Sequence, residues 1–231
     1  CILINVTLLM MFFRRYVSNI PLAFMIMLVM SGFEININLV RNSISILLFV
    51  NAIVFIEKKQ FLPFLLVCLL GFTFHSSSLA YIPMYFIINR KFNKYIMMAI
   101  FAVANVIYLF HIPILKSLIL LVVDYIMPST KLWVEAYLSM DISTGSVLSI
   151  GYLERLLTGI LLFCYIDKLR EIHNGNNIFV NSMLFYLCTF LFLSEFRTIS
   201  LRCSYLFIYA YWIVWIDLIK CFTYRNNKIL Y

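Results

Sequence analysis

Glycine and proline are scarce in this chain, six and five among 231 residues, so nothing in it reads as a linker. Charge is scarce too. Charged residues make up 12 %, about half the usual share of roughly 25 %. There is no CxxC pair and no histidine-rich spacing; the six cysteines sit singly inside apolar runs, as small hydrophobes rather than metal ligands. A Gly-rich phosphate loop, a GxSxG elbow, an HExxH pair and an internal repeat are all missing. What is present is apolar: 64 % hydrophobic residues, 17 % of the chain aromatic. A soluble globule of this size cannot hide that much apolar surface. Disorder is excluded by the same figures. A soluble enzyme, a nucleic-acid binder and a disulfide-stapled secreted domain are excluded with it. The reading is an all-α, polytopic integral membrane protein, residues 1–231 forming one membrane domain.

The apolar runs are continuous rather than alternating, so the spans are helices, not barrel strands. A hydrocarbon core asks for about 20 apolar residues in helical form. Nine crossings are expected: Cys1–Phe13, Ile20–Asn36, Leu39–Ile56, Phe61–Phe74, Leu79–Ile88, Tyr95–His111, Ser149–Ile166, Ile178–Ser194 and Thr198–Ile219. Pro113–Met127 carries Lys116 and Asp124 and reads as an interfacial or re-entrant helix in an outer loop, residues 112–148. Phe61–Ile88 has a second reading, one long tilted helix broken near His75. The chain opens on Cys1 inside an apolar run, and Arg14 and Arg15 follow that run rather than precede it. A signal peptide has the opposite order. The expectation is a fragment that begins within a spanning helix.

The net charge of +8 is read as a topology signal rather than a nucleic-acid footprint. With Arg14 and Arg15 in the cytoplasm, nine crossings put Lys58, Lys59, Arg90, Lys91, Lys94, Lys168, Arg170, Lys220, Arg225 and Lys228 on the same side. That is twelve of the 18 basic residues, and the C-terminus is then cytoplasmic. The step depends on Phe61–Phe74 and Leu79–Ile88 being two crossings. The other face collects Glu34, Arg41, His75 with Ser76–Ser78, Asp124, Lys131, Asp141, Arg155, Glu195, Arg197 and Arg202. Ionisable groups at membrane depth cost about 2.5–3.5 kcal/mol each on insertion scales, and they line cavities or pair. A polar, outward-facing site is expected.

Within it, Arg41 offers a planar, permanently charged fork that fits phosphate oxygens, with Asn36, Asn38 and Asn42 as neighbouring donors and Glu34 as a possible pair. A charge snorkelling to the interface is the bland alternative. His75 interrupts two apolar runs ahead of three serines, which read as helix caps. Its imidazole is suited to proton transfer near neutral pH. Arg202 lies inside the last expected span and needs a partner or a polar cavity, while Arg197 suits an interfacial anchor. Arg41 and Arg202 are candidates to clamp one diphosphate, and Glu195 is a second candidate base. Pro128–Leu148 reads as the longest non-helical segment, with Trp133 and Tyr137 as glycan-contacting aromatics. His111 and His173 are assigned no role.

One pattern gathers these residues: Asn38 and Arg41 at the head of a helix, then Lys58, Lys59 and Phe61, then an apolar run closing on Phe74, His75 and Ser76. It resembles the EpsG-like family, bacterial polysaccharide polymerases of the Wzy type. The late Arg202 followed by the aromatic-rich Tyr205–Phe207 is similar to that family's C-terminal pattern, and the Trp133–Leu138 loop to its outer loop. Asn42 follows Arg41 where the family more often has Gln. The resemblance implies further N-terminal helices with an acidic outer loop ahead of Cys1. It also implies a reaction. Two undecaprenyl-diphosphate-linked glycans meet at the outer face of the bacterial inner membrane, a hydroxyl of one attacks the anomeric carbon of the other, and the lipid diphosphate leaves. Arg41, Arg202 and Arg197 would hold the diphosphate, and His75 or Glu195 would serve the hydroxyl. No metal or cofactor is called for. A flippase and a chain-length regulator are the implied protein partners. A membrane acyltransferase, a glycan ligase or a flippase of the envelope is the competing class. An acyltransferase would use His75 without two outward arginines. The lack of inverted repeats and paired broken helices argues against a transporter.

Overall fold

The computed structural model describes residues 2–32, 40–140, 148–173 and 177–222. Among them every regular element is helical. The α-helices are α1 (Ile2–Tyr16), α2 (Ile20–Met27), α3 (Val40–Glu57), α4 (Phe61–Phe74), α5 (Met84–Ile87), α6 (Lys94–Leu109), α7 (Ile114–Ile126), α8 (Lys131–Met140), α9 (Ile150–Ile172), α10 (Ile178–Phe192), α11 (Arg197–Ser204) and α12 (Tyr209–Cys221). A π turn over Leu28–Gly32 extends α2, and 3-10 turns cover Ser76–Tyr81, Pro128–Thr130 and Tyr205–Phe207.

The all-α architecture stands, and among the described residues there are fewer clear spans than the nine expected, with Ile20–Gly32, Phe61–Phe74 and Ile178–Phe192 as shorter apolar helices. Among the described residues only α3, with 18 residues, is by itself long and apolar enough to span. Two bent pairs raise the number to three if each counts as one span: α6 with α7, bent by 86°, and Arg197–Phe207 with α12, bent by 58°. The reasons are local. The 14 residues of α4 rise only about 21 Å at 1.5 Å per residue, against a hydrocarbon core near 30 Å. Leu79–Ile88 is no spanning α-helix; it divides between a 3-10 turn and the four-residue α5. The stretch after Ile20 passes into a π turn in which Ser31 has φ of 57°. Thr198–Ile219 breaks between Ser204 and Tyr209. The helix expected over Ser149–Ile166 runs on to Ile172 and takes in Asp167, Lys168, Arg170 and Glu171. Pro128–Leu148 is not a plain loop either, because α8 fills Lys131–Met140.

Helix ends follow the sequence. Asn19 caps α2 through a bond from Leu22 N, ahead of Pro21 in the first turn. Asn93 does the same for α6 through Tyr95 N. Lys59 (φ 57°) and His111 (φ 49°) take left-handed conformations after α3 and α6. Gln60 N reaches back to Phe55 O and Ile112 N to Ile107 O, the six-residue closure of a Schellman ending. At His111 this ending turns the chain between α6 and α7. Many large apolar side chains face outward, among them Leu66 (60 % exposed), Val103 (53 %) and Leu121 (69 %). Such a surface is costly in water and suits lipid, so the apolar helices point to a membrane protein. Of the free cysteines, Cys68, Cys188 and Cys221 are buried as small hydrophobes, whereas Cys164 is exposed.

The chain divides into two compact units. The first holds residues 1–91, 165–183 and 206–231, the second 92–164 and 184–205. In the first unit α1 and α3 lie parallel. Asn5 Nδ2 donates to Ser43 Oγ (2.6 Å) near their starts, and Tyr16 OH donates to the Glu57 carboxylate (3.0 Å) at their ends. Between these, Asn51 Nδ2 donates to Leu8 O (2.9 Å). The chain then reverses twice. Phe49 of α3 meets Phe64 of α4 edge-on. After His75 the next stretch returns along α4: Ser78 Oγ donates to Cys68 O (2.8 Å), and Tyr85 packs on both Phe64 and Phe61. The single long helix over Phe61–Ile88 is thereby excluded. α12 packs along α2, and its Tyr209 and Trp212 rings meet Phe12 and Phe13 near the end of α1.

These directions bring the ends of α1, α3, the return leg and α12 together. Arg14, Arg15, Lys58, Lys59, Arg90, Lys91 and Lys220 therefore share one end of the first unit. The last turns of α9 join them, since Lys168 Nζ donates to Cys221 O (3.3 Å). At this end His173 Nε2 lies 2.7 Å from the buried Asp217, whose other oxygen takes Lys220 Nζ at 2.8 Å. Asn181 ties the return leg to α10 by donating to Ile88 O (2.7 Å) and Arg90 O (2.8 Å). Tyr16, against His173 and Phe179, has its phenol pushed well above the ordinary range by burial first and the Glu57 carboxylate second.

In the second unit, Tyr108 of α6 stacks on Tyr152 of α9, with centroids 4.6 Å apart and planes within 8°. Tyr152 OH also donates to Asn105 Oδ1 (3.0 Å). Gly159 lets α9 meet α6 closely, since a Cβ there would run into the Phe101 ring. Arg155 lies over the Phe190 ring (3.9 Å) and donates to Tyr186 OH (3.0 Å).

Candidate functional site

The end of the first unit opposite its cationic end is built where α3 begins and α4 stops. Close approach makes it. A Cβ on Gly71 would collide with Ser78 Oγ and touch Ser45 Oγ, so the 3-10 turn folds tightly against both helices. His75 is the pivot, in extended conformation (φ −155°, ψ 135°). Its backbone N–H closes α4 on Gly71 O (3.0 Å), and its ring Nδ1 lies 3.2 Å from Ser77 N as the cap of the next turn. Nδ1 also lies 2.7 Å from Ser77 Oγ, and Ser77 Oγ donates to Asn42 Oδ1 at 2.7 Å. The ring is half-buried; Asn42 is buried. Arg41, next to Asn42, is exposed in the first turn of α3. An exposed guanidinium in the first turn of α3 and a half-buried histidine at the end of α4, both at this end of the unit, are suited to binding an anion and to moving a proton.

Of the residues expected at the outer site, Glu34, Asn36, Asn38 and Asp141 lie outside the described residues. Glu195, Arg197, Arg202, Trp133 and Tyr137 belong to the second unit. Glu195 is half-buried, and its Oε2 accepts from Lys116 N (3.1 Å) in the first turn of α7. A carboxylate there satisfies an orphan helix donor and meets the positive end of the helix dipole. Arg197 opens α11 and is exposed; Arg202 is exposed in the last turn of that same eight-residue helix. Arg202 therefore does not lie deep in a long span as expected, because the helix ends at Ser204. Trp133 is 80 % exposed on α8, the helix that also bears Tyr137. Nearby Lys131 pairs with Asp124 at 3.0 Å, and that bond holds its ammonium above the ordinary range. Among the described residues no three His, Cys, Asp or Glu side chains gather as a metal-ligand set.

Sequence reasoning missed two arrangements. The Asn42–Ser77–His75 chain was visible only as three separate polar residues. Asn181, which holds two carbonyls of the return leg, gave one signal, a lone amide in an apolar helix.

Comparison with curated proteins and with solved structures gives no match. The sequence profile of the EpsG family matches residues 1–231. The chain belongs to the EpsG family.

Proposed function

We propose that this protein polymerises lipid-diphosphate-linked oligosaccharide repeat units into an exopolysaccharide, capsule or O-antigen at the outer face of the bacterial cytoplasmic membrane. Family membership supports a role in polysaccharide biosynthesis. The observation that carries the finer reading is the separation within the first unit. Its cations from the chain reversals gather at one end, and Arg41 and His75 stand at the other. The positive-inside rule supports a cytoplasmic first end, and in this reading Arg41 and His75 face outward.

In this reading a hydroxyl of one glycan attacks the anomeric carbon of another. The new glycosidic C–O bond forms as the C–O bond to the diphosphate breaks, and the lipid diphosphate leaves with the electron pair. His75 takes the hydroxyl proton and passes it to water. Arg41 meets the negative charge that grows on the leaving group, and Arg202 and Arg197 of the second unit are assigned to diphosphate as well. Trp133 and Tyr137 contact the glycan. Glu195 keeps a supporting role, since one of its oxygens already holds the start of α7. The bilayer, a flippase and a chain-length regulator are the surroundings this reaction implies.

The test is genetic. Arg41→Ala and Arg202→Ala should each abolish long-chain surface polysaccharide while the protein still inserts. Normal chain lengths in both would overturn the assignment.

A further inference from the structure

We infer that Asn42 and Ser77 are positioning residues that hold the neutral His75 ring with its proton on Nδ1, leaving the Nε2 lone pair as the proton acceptor. The inference rests on the reading of His75 as the base, and deepens it.

The argument is one of direction. Asn42 Oδ1 is an amide carbonyl oxygen and can only accept. It is buried, so leaving it without a donor would be costly. Ser77 Oγ, 2.7 Å away, supplies that donor. A hydroxyl has one proton, so Ser77 Oγ then has only lone pairs to offer to His75. Nδ1 lies 2.7 Å from it. At that distance two lone pairs would repel, so Nδ1 carries the proton and donates. The chain runs Nδ1–H to Ser77 Oγ–H to Asn42 Oδ1.

A neutral imidazole has one N–H. With Nδ1 protonated, Nε2 is a bare lone pair, and among the described residues it has no hydrogen-bond partner. A substrate hydroxyl can donate to it. The structure also holds the competing state. Ser77 N points at Nδ1 from 3.2 Å, and that bond forms only when Nδ1 is unprotonated and the proton sits on Nε2. His75 then presents a donor to substrate, which is the wrong polarity for a base. The side-chain relay and the backbone cap thus favour opposite tautomers. The shorter relay contacts, ending on a buried acceptor, decide for the first. Asn42 also follows Arg41 in sequence, so one turn of α3 carries the assigned diphosphate contact and the far end of the relay.

Nitrogen NMR of the full chain in lipid nanodiscs, with labelled histidine, reads the tautomer directly. The chain has three histidines, and His75→Gln assigns the signal of interest. The neutral wild-type ring should be protonated on Nδ1. Ser77→Ala should move the proton to Nε2, where the backbone N–H of residue 77 stabilises it, and should slow polymer formation about 10²-fold, the low end of what a general base contributes. Ser77→Thr should restore both. Asn42→Asp, which also ends the relay on an acceptor, should keep the proton on Nδ1. A wild-type ring protonated on Nε2, or a tautomer unmoved in Ser77→Ala, overturns the relay. A tautomer that moves as expected while polymer formation is unchanged supports the relay and removes His75 from the chemistry, so the two readings fail separately.

Discussion

Phe49 of α3 and Tyr81 of the 3-10 turn stack face to face, with ring centroids 3.8 Å apart and planes within 6°. Tyr81 is fully buried, and its hydroxyl donates to Leu206 O at 2.8 Å. This contact pins the return leg along α3. It is why the chain reverses at His75 although Leu79–Ile88 is too short to be a spanning α-helix. A 3-10 turn rises about 2 Å per residue, so six such residues cover about 12 Å, and α5 and its turn bring Tyr85 level with the start of α4.

That reversal fixes an expectation about sidedness. Single cysteines at positions 75 and 90, in a background without the native cysteines, should label from opposite sides of the membrane with an impermeant maleimide. Position 75 should label from outside intact cells. Labelling of both from the same side would contradict the reversal as a membrane hairpin, and labelling of 75 from the cytoplasm alone would invert the assigned face.

Gly71→Ala tests the close approach that forms the His75 turn. The new methyl group meets Ser78 Oγ, and overpacking of this kind costs about 1–3 kcal/mol. Thermal unfolding in detergent should fall accordingly. Gly71→Ala with Ser78→Ala should recover part of the loss, because the colliding oxygen is gone even though its bond to Cys68 O goes with it. A single mutant as stable as the wild type would show that the turn has room the geometry does not give it.

Glu195 separates a cap from a base. Glu195→Gln keeps an oxygen to accept from Lys116 N and loses only the charge at the helix start, a matter of about 0.3–1 kcal/mol. Chain lengths of the polysaccharide should stay near normal in that mutant. Glu195→Ala removes the acceptor as well and should cost about 0.5–2 kcal/mol of stability. Loss of all polymer in a well-folded Glu195→Gln protein would move the base role from His75 to Glu195.

Much of the helical order is legible in the sequence, because continuous apolar runs leave no other choice: α3, α4, α6 and α10 start and stop within a few residues of the runs that suggest them. The breaks are less legible. In Thr198–Ile219 no proline or glycine marks the bend after Ser204; the one signal is the change from the polar Ser200, Arg202 and Ser204 to the apolar run that starts at Tyr205. Leu79–Ile88 is apolar enough for a helix end or a strand, and only its packing on Phe49, Phe61 and Phe64 shows what it is. Among the site residues, Arg41 and His75 are visible as polar interruptions. Their setting is not. The Ser77–Asn42 bond joins residues 35 apart in the chain, and the Glu195–Lys116 bond residues 79 apart. Periodicity carries no information at such separations.

The central claim is that this chain forms glycosidic bonds at the expense of a lipid diphosphate. The most direct measurement uses the purified protein in vesicles with lipid-diphosphate-linked repeat units, following product length and released lipid diphosphate together. Products should lengthen by whole repeat units, with one lipid diphosphate released per bond, and both signals should be lost in Arg41→Ala and His75→Ala. Substrate that crosses the bilayer or gains an acyl group without lengthening, or lengthening that is untouched in both mutants, would contradict the account.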